Sequence, residues 1–206
     1  MDVMQLRRNL LMQQTSRLPS AYQEVEWING NSCDIDLNYV PKVNPKAVTR
    51  FAVSASGDRD AMGFKTNTYP SFIIDVYVRG TETVTSWFNR FGSTSAYSFN
   101  YQFGNYTGDD FHDFEFGENV KVDGVQYVTI TGVTWSGNTQ SFHVFAARTV
   151  HVGIRMCYFK LYDGDNLVRD LVPCYRKADD VIGMYDLVTG TFFTSSVGVF
   201  TKGNNI

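Results

Sequence analysis

Residues 157 to 177, CYFKLYDGDNLVRDLVPCYRK, constrain the fold more than any other stretch. Two alternating apolar and polar runs flank Asp163-Gly164-Asp165-Asn166, four residues that tolerate the positive φ angles of a tight reversal. This predicts an antiparallel hairpin. Cys157, Phe159 and Leu161 form the more apolar side of its first strand, and Tyr158, Lys160 and Tyr162 the amphipathic side. The register of the return strand depends on loop length, which the residues leave open.

The same period of two runs through most of the chain. It begins with AYQEVEWI at Ala21 and continues in AVTRFAVSA, SFIIDVYVR, TSWFNRF, YSFNYQF, HDFEF, YVTITGV, SFHVFAA, HVGIRMCYFKLY, LVRDLVP and TFFTSSVGVFT. Turn signals lie between them at Ser56-Gly57-Asp58, Gly92-Ser93, Asp123-Gly124, Ser136-Gly137-Asn138 and Thr189-Gly190. Aromatic residues are 15% of the 206, which favours half-buried pleated surfaces. Short, regularly spaced strands with polar turns predict one all-β domain over residues 18–206, an antiparallel sandwich or jelly roll. Residues 20 to 203 contain no repeat, linker or low-complexity tract.

Residues 1–17 have a different rhythm. Val3, Leu6 and Leu10 recur at helical spacing, and Met4 and Leu11 widen the stripe. Leu18-Pro19 ends it, because proline disfavours helix in the residue before it. A helix of about four turns is marginal alone in water and needs a partner surface. Arg7, Arg8 and Asn9 break the apolar run, so a signal peptide is not expected. No stretch approaches the roughly 20 apolar residues of a membrane span. A net charge of −3 gives no electrostatic footprint for nucleic acid.

Metal and cofactor chemistry find little support. Cys33, Cys157 and Cys174 make no C-x-x-C, and His112, His143 and His151 stand apart. Cys157 and Cys174 could face each other across the hairpin, but buried thiols are the expected state. No cofactor or metal ligand set is expected.

Both ends of the chain resemble one family. LPSAYQEVEWI followed by DIDLNYVPK is similar to an opening usually written Leu-Pro, a Tyr, Val-Glu-Tyr-Ile, then Tyr-Ile-Asp-Thr-Gly. YFKLYDGDNLVRDLVPCYRKADDVIGMYDLVTGTFFTSSVGVFTKG resembles the same family's close, and more strongly. The family is the laminin-G-like, concanavalin A-like jelly roll of gut bacteriophage virions and of surface proteins of their Bacteroidales hosts. The two ends span a third to a half of the chain. Trp27 stands where the family has Tyr, and NGNSCDID replaces TGTQYID. The resemblance implies that the hairpin is a core element and that the first and last strands meet. AYQEVEWI should then lie beside GVFTKG, with Val25 and Trp27 facing inward against Val199 and Thr201 or Phe200. Asn204, Asn205 and Ile206 are expected to fray.

Three functions compete on this architecture. Some concanavalin A-like hydrolases carry Glu-x-Asp-x-x-Glu on one strand, and Asp113-Phe114-Glu115-Phe116-Gly117-Glu118 approximates it. With Asp in the nucleophile position, the simpler reading puts Phe114 and Phe116 in the core and both acids in solvent, so no enzyme is expected. Glycan binding has a candidate rim in Tyr97, Tyr101, Tyr106, Asp109 and Asp110, where the two acids could also bind calcium. Assembly uses the helix, docked on another virion protein or on copies of itself. The expectation is a non-enzymatic virion fibre, decoration or adaptor protein, assembled in the host cytoplasm, that aids adhesion to host glycans. A soluble carbohydrate-binding or hydrolase-like domain is the alternative.

Overall fold

The structure is a computed structural model. It describes residues 17–30, 32–53, 110–132, 135, 138–146 and 153–206 in full, and 57–64, 71–79, 83–92 and 99–103 as backbone. The expected helix, with Val3, Met4, Leu6, Leu10 and Leu11, lies outside the described residues, as does His151. Among the described residues the chain is all-β and antiparallel.

In chain order the strands are β1 (Tyr22–Glu24), β2 (Ile28–Asn29), β3 (Ile35–Asp36), β4 (Pro45–Val53), β5 (Gly57–Phe64), β6 (Ser71–Arg79), β7 (Thr83–Gly92), β8 (Phe99–Phe103) and β9 (His112–Phe116). There follow β10 (Asn119–Val122), β11 (Val125–Thr129), β12 (His143–Val144), β13 (Ile154–Asp163), β14 (Asn166–Arg176), β15 (Val181–Asp186), β16 (Phe192–Phe193) and β17 (Thr201–Lys202). The larger sheet runs β11-β10-β9-β4-β13-β14-β15-β16, with β1 on β14 and β2 between β13 and β17. The smaller runs β3-β12-β5-β6-β7-β8. Strands β3, β5, β10 and β15 are not among the segments the alternation picks out.

Strand β4 shows why the sheet buries one face. Ala47, Thr49 and Phe51 are fully buried, while Lys46, Val48 and Arg50 between them stay half-exposed. Phe51 stacks on Phe114 of β9 at 4.6 Å between centroids, and Phe114 stacks on Phe116 at 5.3 Å. Each such ring is worth about 3–5 kcal/mol against truncation to alanine. Thr49, polar but buried, donates its hydroxyl to the Tyr158 carbonyl at 2.7 Å, so the core holds no unsatisfied group there. Ile35 of β3 and Val144 of β12 belong to the same buried cluster, which brings the edge of the smaller sheet into the core.

The hairpin forms as its residues require, with a two-residue loop closed by the Asp163–Asn166 pair. Gly164 takes φ +61, a conformation costly for a residue with a Cβ. One part of the expectation fails. The β13–β4 register shifts between Met156 and Tyr158, so Cys157 occupies a bulge and is half-buried rather than in the inner row. The buried series is Ile154, Met156, then Phe159, Leu161 and Asp163, displaced by one residue. All three cysteines remain thiols. Burial pushes Cys157 up to about 11 against the pull of Arg50, and Cys174 up to about 12, so neither is a reactive thiolate.

The last strand, β17, pairs with β2, Ile28 opposite Lys202 and Asn29 opposite Thr201, while β1 pairs with β14 instead. Three details differ from expectation. Val25 and Ile28 are buried, whereas Trp27 is half-buried. Phe200 turns inward at 2% exposure, its ring tilted against that of Phe145 with centroids 5.1 Å apart, while Val199 is 83% exposed. The last residues do not fray: Glu26 N donates to the Asn204 carbonyl, Ile206 N to that of Glu24, and Val25 bridges Asn205.

A titratable contact joins β12 to the chain before β3. His143 Nδ1 lies 2.8 Å from Asp34 Oδ1. That hydrogen bond raises the histidine pKa above its ordinary 6.5 against the opposing effect of burial, and Asp36 adds to the rise. A pKa raised on folding contributes stability fully below the unfolded value, and the contribution fades as pH climbs through the folded one. His143→Gln should therefore cost under about 1 kcal/mol, at mildly acidic pH and not at alkaline pH, because the pair is part-exposed. Urea midpoints of both proteins across the neutral range, converging as pH rises, would check this.

Candidate functional site

Alternation on the larger sheet puts a band of polar side chains on its outer face. Arg50 Nη1 donates to Asp113 Oδ2 at 2.7 Å and the Tyr158 hydroxyl to Asp113 Oδ1 at 2.8 Å. Burial and this carboxylate hold the Tyr158 pKa well above the usual phenol range. Further along, Lys121 pairs with Glu115 at 3.0 Å, Lys160 with Asp170 at 3.3 Å, and Lys46 sits over the Tyr162 ring. The hydrolase-like stretch is dispersed among these contacts. Phe114 and Phe116 are buried, Asp113 and Glu115 face outward into ion pairs, and Glu118 accepts from Asn44 Nδ2. Each of the three carboxylates already has a partner.

The aromatic and acidic rim is placed only in part. Tyr97, Tyr106 and Asp109 lie outside the described residues, and Tyr101 is described as backbone in β8, opposite Ser86. Asp110 is exposed and its Oδ1 lies 3.4 Å from His112 Nε2. His112 Nδ1 is 2.6 Å from Asp123 Oδ2. Burial would raise the Asp123 pKa, but His112, the Asp113 N–H and Arg50 together hold it below the carboxylate range. These contacts lock the Asp123-Gly124 turn, whose φ angles of +49 and +78 join β10 to β11 as a two-residue hairpin. Among the described residues, no group of three or more His, Cys, Asp or Glu could hold a metal.

A cleft lies elsewhere, where the two chain ends pair. It is open, about 740 Å³ in volume, and lined by Glu26, Trp27, Lys202, Gly203, Asn204 and Asn205. That falls in the usual range for small-molecule sites. The extended chain breaks after Val25, which throws Glu26 and Trp27 outward before Ile28 returns to the core. Opposite them, Gly203 N donates to the Trp27 carbonyl at 2.9 Å. Gly203 must be small: a Cβ there would lie 2.8 Å from the indole Nε1. The Arg155 guanidinium lies 4.8 Å from the indole centroid and covers one side of the ring. Glu26 Oε2 accepts both the backbone N–H and the Nδ2 of Asn204, each at 3.1 Å. Lys202 Nζ reaches Asn205 Oδ1 at 3.2 Å and lies over the Tyr175 ring.

The cleft thus combines a half-buried indole with amide, carboxylate and ammonium groups held by neighbours. It can present donors and acceptors beside an aromatic surface, but nothing in it resembles a nucleophile–base pair. None of its residues is in the rim that the sequence suggests. The pairing of the chain ends sets Trp27 against residues 202–205, and no local motif marks the cleft in the sequence. No protein-family model matches the chain, and no curated protein matches it.

Proposed function

We propose that this protein is a non-enzymatic virion component, a fibre, decoration or adaptor protein, whose β-domain holds host surface glycans in the cleft between its chain ends. The two sheets would close as a jelly-roll sandwich, and residues 1–17 would attach the domain to other virion proteins or to copies of itself. The virion half of the reading rests on the resemblance of both chain ends to laminin-G-like phage proteins. The pairing of those ends in one sheet supports the jelly roll, as does the cluster shared by Ile35, Val144, Phe51 and Phe114.

The observation that carries the binding half is Trp27, set half-buried beside Glu26, Lys202, Asn204 and Asn205. Sugars are bound by such a pairing, an aromatic surface against the C–H face and fixed polar groups for the hydroxyls. Trp27→Ala is expected to weaken binding to purified bacterial surface polysaccharide by tenfold or more while the β-sheet circular dichroism is retained. Unchanged binding by that variant would remove the cleft from the reading. Antibody labelling of particles in micrographs checks the virion assignment, which fails if the label stays with the non-particulate fraction.

A further inference from the structure

We propose that the cleft selects neutral sugars over acidic ones and that an occupying sugar fastens the C-terminal tail to the strand beside it. The proposal rests on the glycan-binding reading and goes on to name the ligand class.

The selection follows from charge. Glu26 and Lys202 are the two formally charged residues lining the cleft. The Lys202 ammonium donates to Asn205 Oδ1 at 3.2 Å and lies over the Tyr175 ring. The nearby Arg155 guanidinium lies over the indole. Each cation is already engaged by a group of the protein, Lys202 by Asn205 and Arg155 by the indole. Glu26 is held in place through Oε2 by Asn204, which leaves Oε1 to accept from a further donor. A sugar hydroxyl can donate there, whereas a sugar carboxylate would meet the Glu26 anion at contact distance while the Lys202 ammonium is held by Asn205. Neutral vicinal hydroxyls both donate and accept, which suits a wall of one carboxylate and two amides.

The fastening follows from topology. One wall, Glu26 and Trp27, belongs to the first strands, and the other, Lys202 to Asn205, to the last. The walls are joined by Glu26 N to the Asn204 carbonyl at 3.0 Å and by Gly203 N to the Trp27 carbonyl. A ligand that touches both walls binds the paired state and not the opened one, so it stabilises the pairing by mass action.

The full chain would be titrated with methyl glucoside, methyl galactoside, methyl mannoside and N-acetylglucosamine oligomers, and separately with glucuronate, galacturonate and sialyllactose. Binding is read by calorimetry, and amide hydrogen exchange is followed at residues 203–206. At least one neutral sugar is expected to bind tenfold or more tightly than every acidic one, and to slow exchange in the tail severalfold. Glu26→Gln, which removes the negative charge, should shrink the neutral-to-acidic ratio severalfold. Lys202→Gln, a change on the opposite wall, should leave neutral sugars preferred. Acidic sugars binding as well or better would overturn the proposed class and leave glycan binding standing. A ratio unmoved by Glu26→Gln would overturn the charge argument, and binding without tail protection would overturn the fastening. No binding by any sugar would overturn this inference together with the reading it rests on.

Discussion

A chain ending at Thr194 is expected to aggregate instead of unfolding cooperatively. The cut removes β17, and with it the pairing to β2 and the ring of Phe200 from its place against Phe145. Burial of Phe200 alone is worth roughly 1.5–3 kcal/mol, and several backbone hydrogen bonds at about 1 kcal/mol each go with it. It also takes Ser195, whose hydroxyl accepts from Asp34 N at 3.0 Å. What remains is a bare edge on β2 with Ile28 and Phe145, both fully buried in the intact chain, behind it. A milder cut, removing Asn204, Asn205 and Ile206, should leave a folded protein destabilised by about 1–3 kcal/mol, because it removes exposed hydrogen bonds and little apolar surface. Light scattering and thermal melts of the two truncations against the full chain test both. A soluble, cooperatively melting chain ending at Thr194 would place the last strand outside the folding unit.

The second large effect is expected at Asp186. Its side chain is fully buried, yet the surroundings supply donors from several directions. Oδ1 accepts from Asp170 N at 2.9 Å and Val188 N at 3.1 Å, Oδ2 accepts from the Thr189 hydroxyl at 2.7 Å, and Arg169 Nε lies 3.6 Å away. One carboxylate therefore ties the turn after β15 to β14. Arg169 in turn donates to the carbonyls of Leu37 and Val168, so the network extends to the chain that follows β3. Asp186→Ala takes the acceptor from three donors and the counter-charge from Arg169, at a cost of about 3–5 kcal/mol, or on the order of 10 °C in melting temperature for a chain this size. Asp186→Asn keeps the shape and should cost less. A melting temperature within a degree or two of the parent for Asp186→Ala would mean that the backbone bonds alone hold the turn.

These two cases mark what the residues disclosed and what they did not. The 163–166 reversal was legible because strict alternation on both sides leaves few other uses for Asp-Gly-Asp-Asn. The pairing of β17 with β2 was legible through resemblance, since partners so far apart in the chain leave no local periodicity, whereas the pairing of β1 with β14 was not. The bulge at Cys157 was hidden, because a single extra residue shifts the phase of every later side chain and has no compositional mark. The buried acids were hidden for another reason. Asp163 sits in the Asp-Gly-Asp-Asn reversal and Asp186 in β15, which the alternation does not pick out, yet both accept backbone N–H groups that would otherwise be orphaned. Asp163 also takes the Tyr39 hydroxyl at 2.8 Å; with burial, this pushes that phenol up to about 12. The cleft was hidden because its walls come from opposite ends of the chain, and neither GluTrp nor the Lys-Gly-Asn-Asn tail is a motif alone.

The pairing of β2 with β17 also decides how the domain responds to mechanical load. Val25 lies opposite Asn205, Ile28 opposite Lys202 and Asn29 opposite Thr201. Tension applied between the segment before Val25 and the last residue would therefore pull on the same end of an antiparallel pair. The contacts break one after another, as a zip opens, rather than sharing the load in shear. A tether that enters ahead of Val25 and a weight hung at Glu26 and Trp27 would load a different path, a few residues long, which β1 shares with β14 and the cleft shares with the tail after β17.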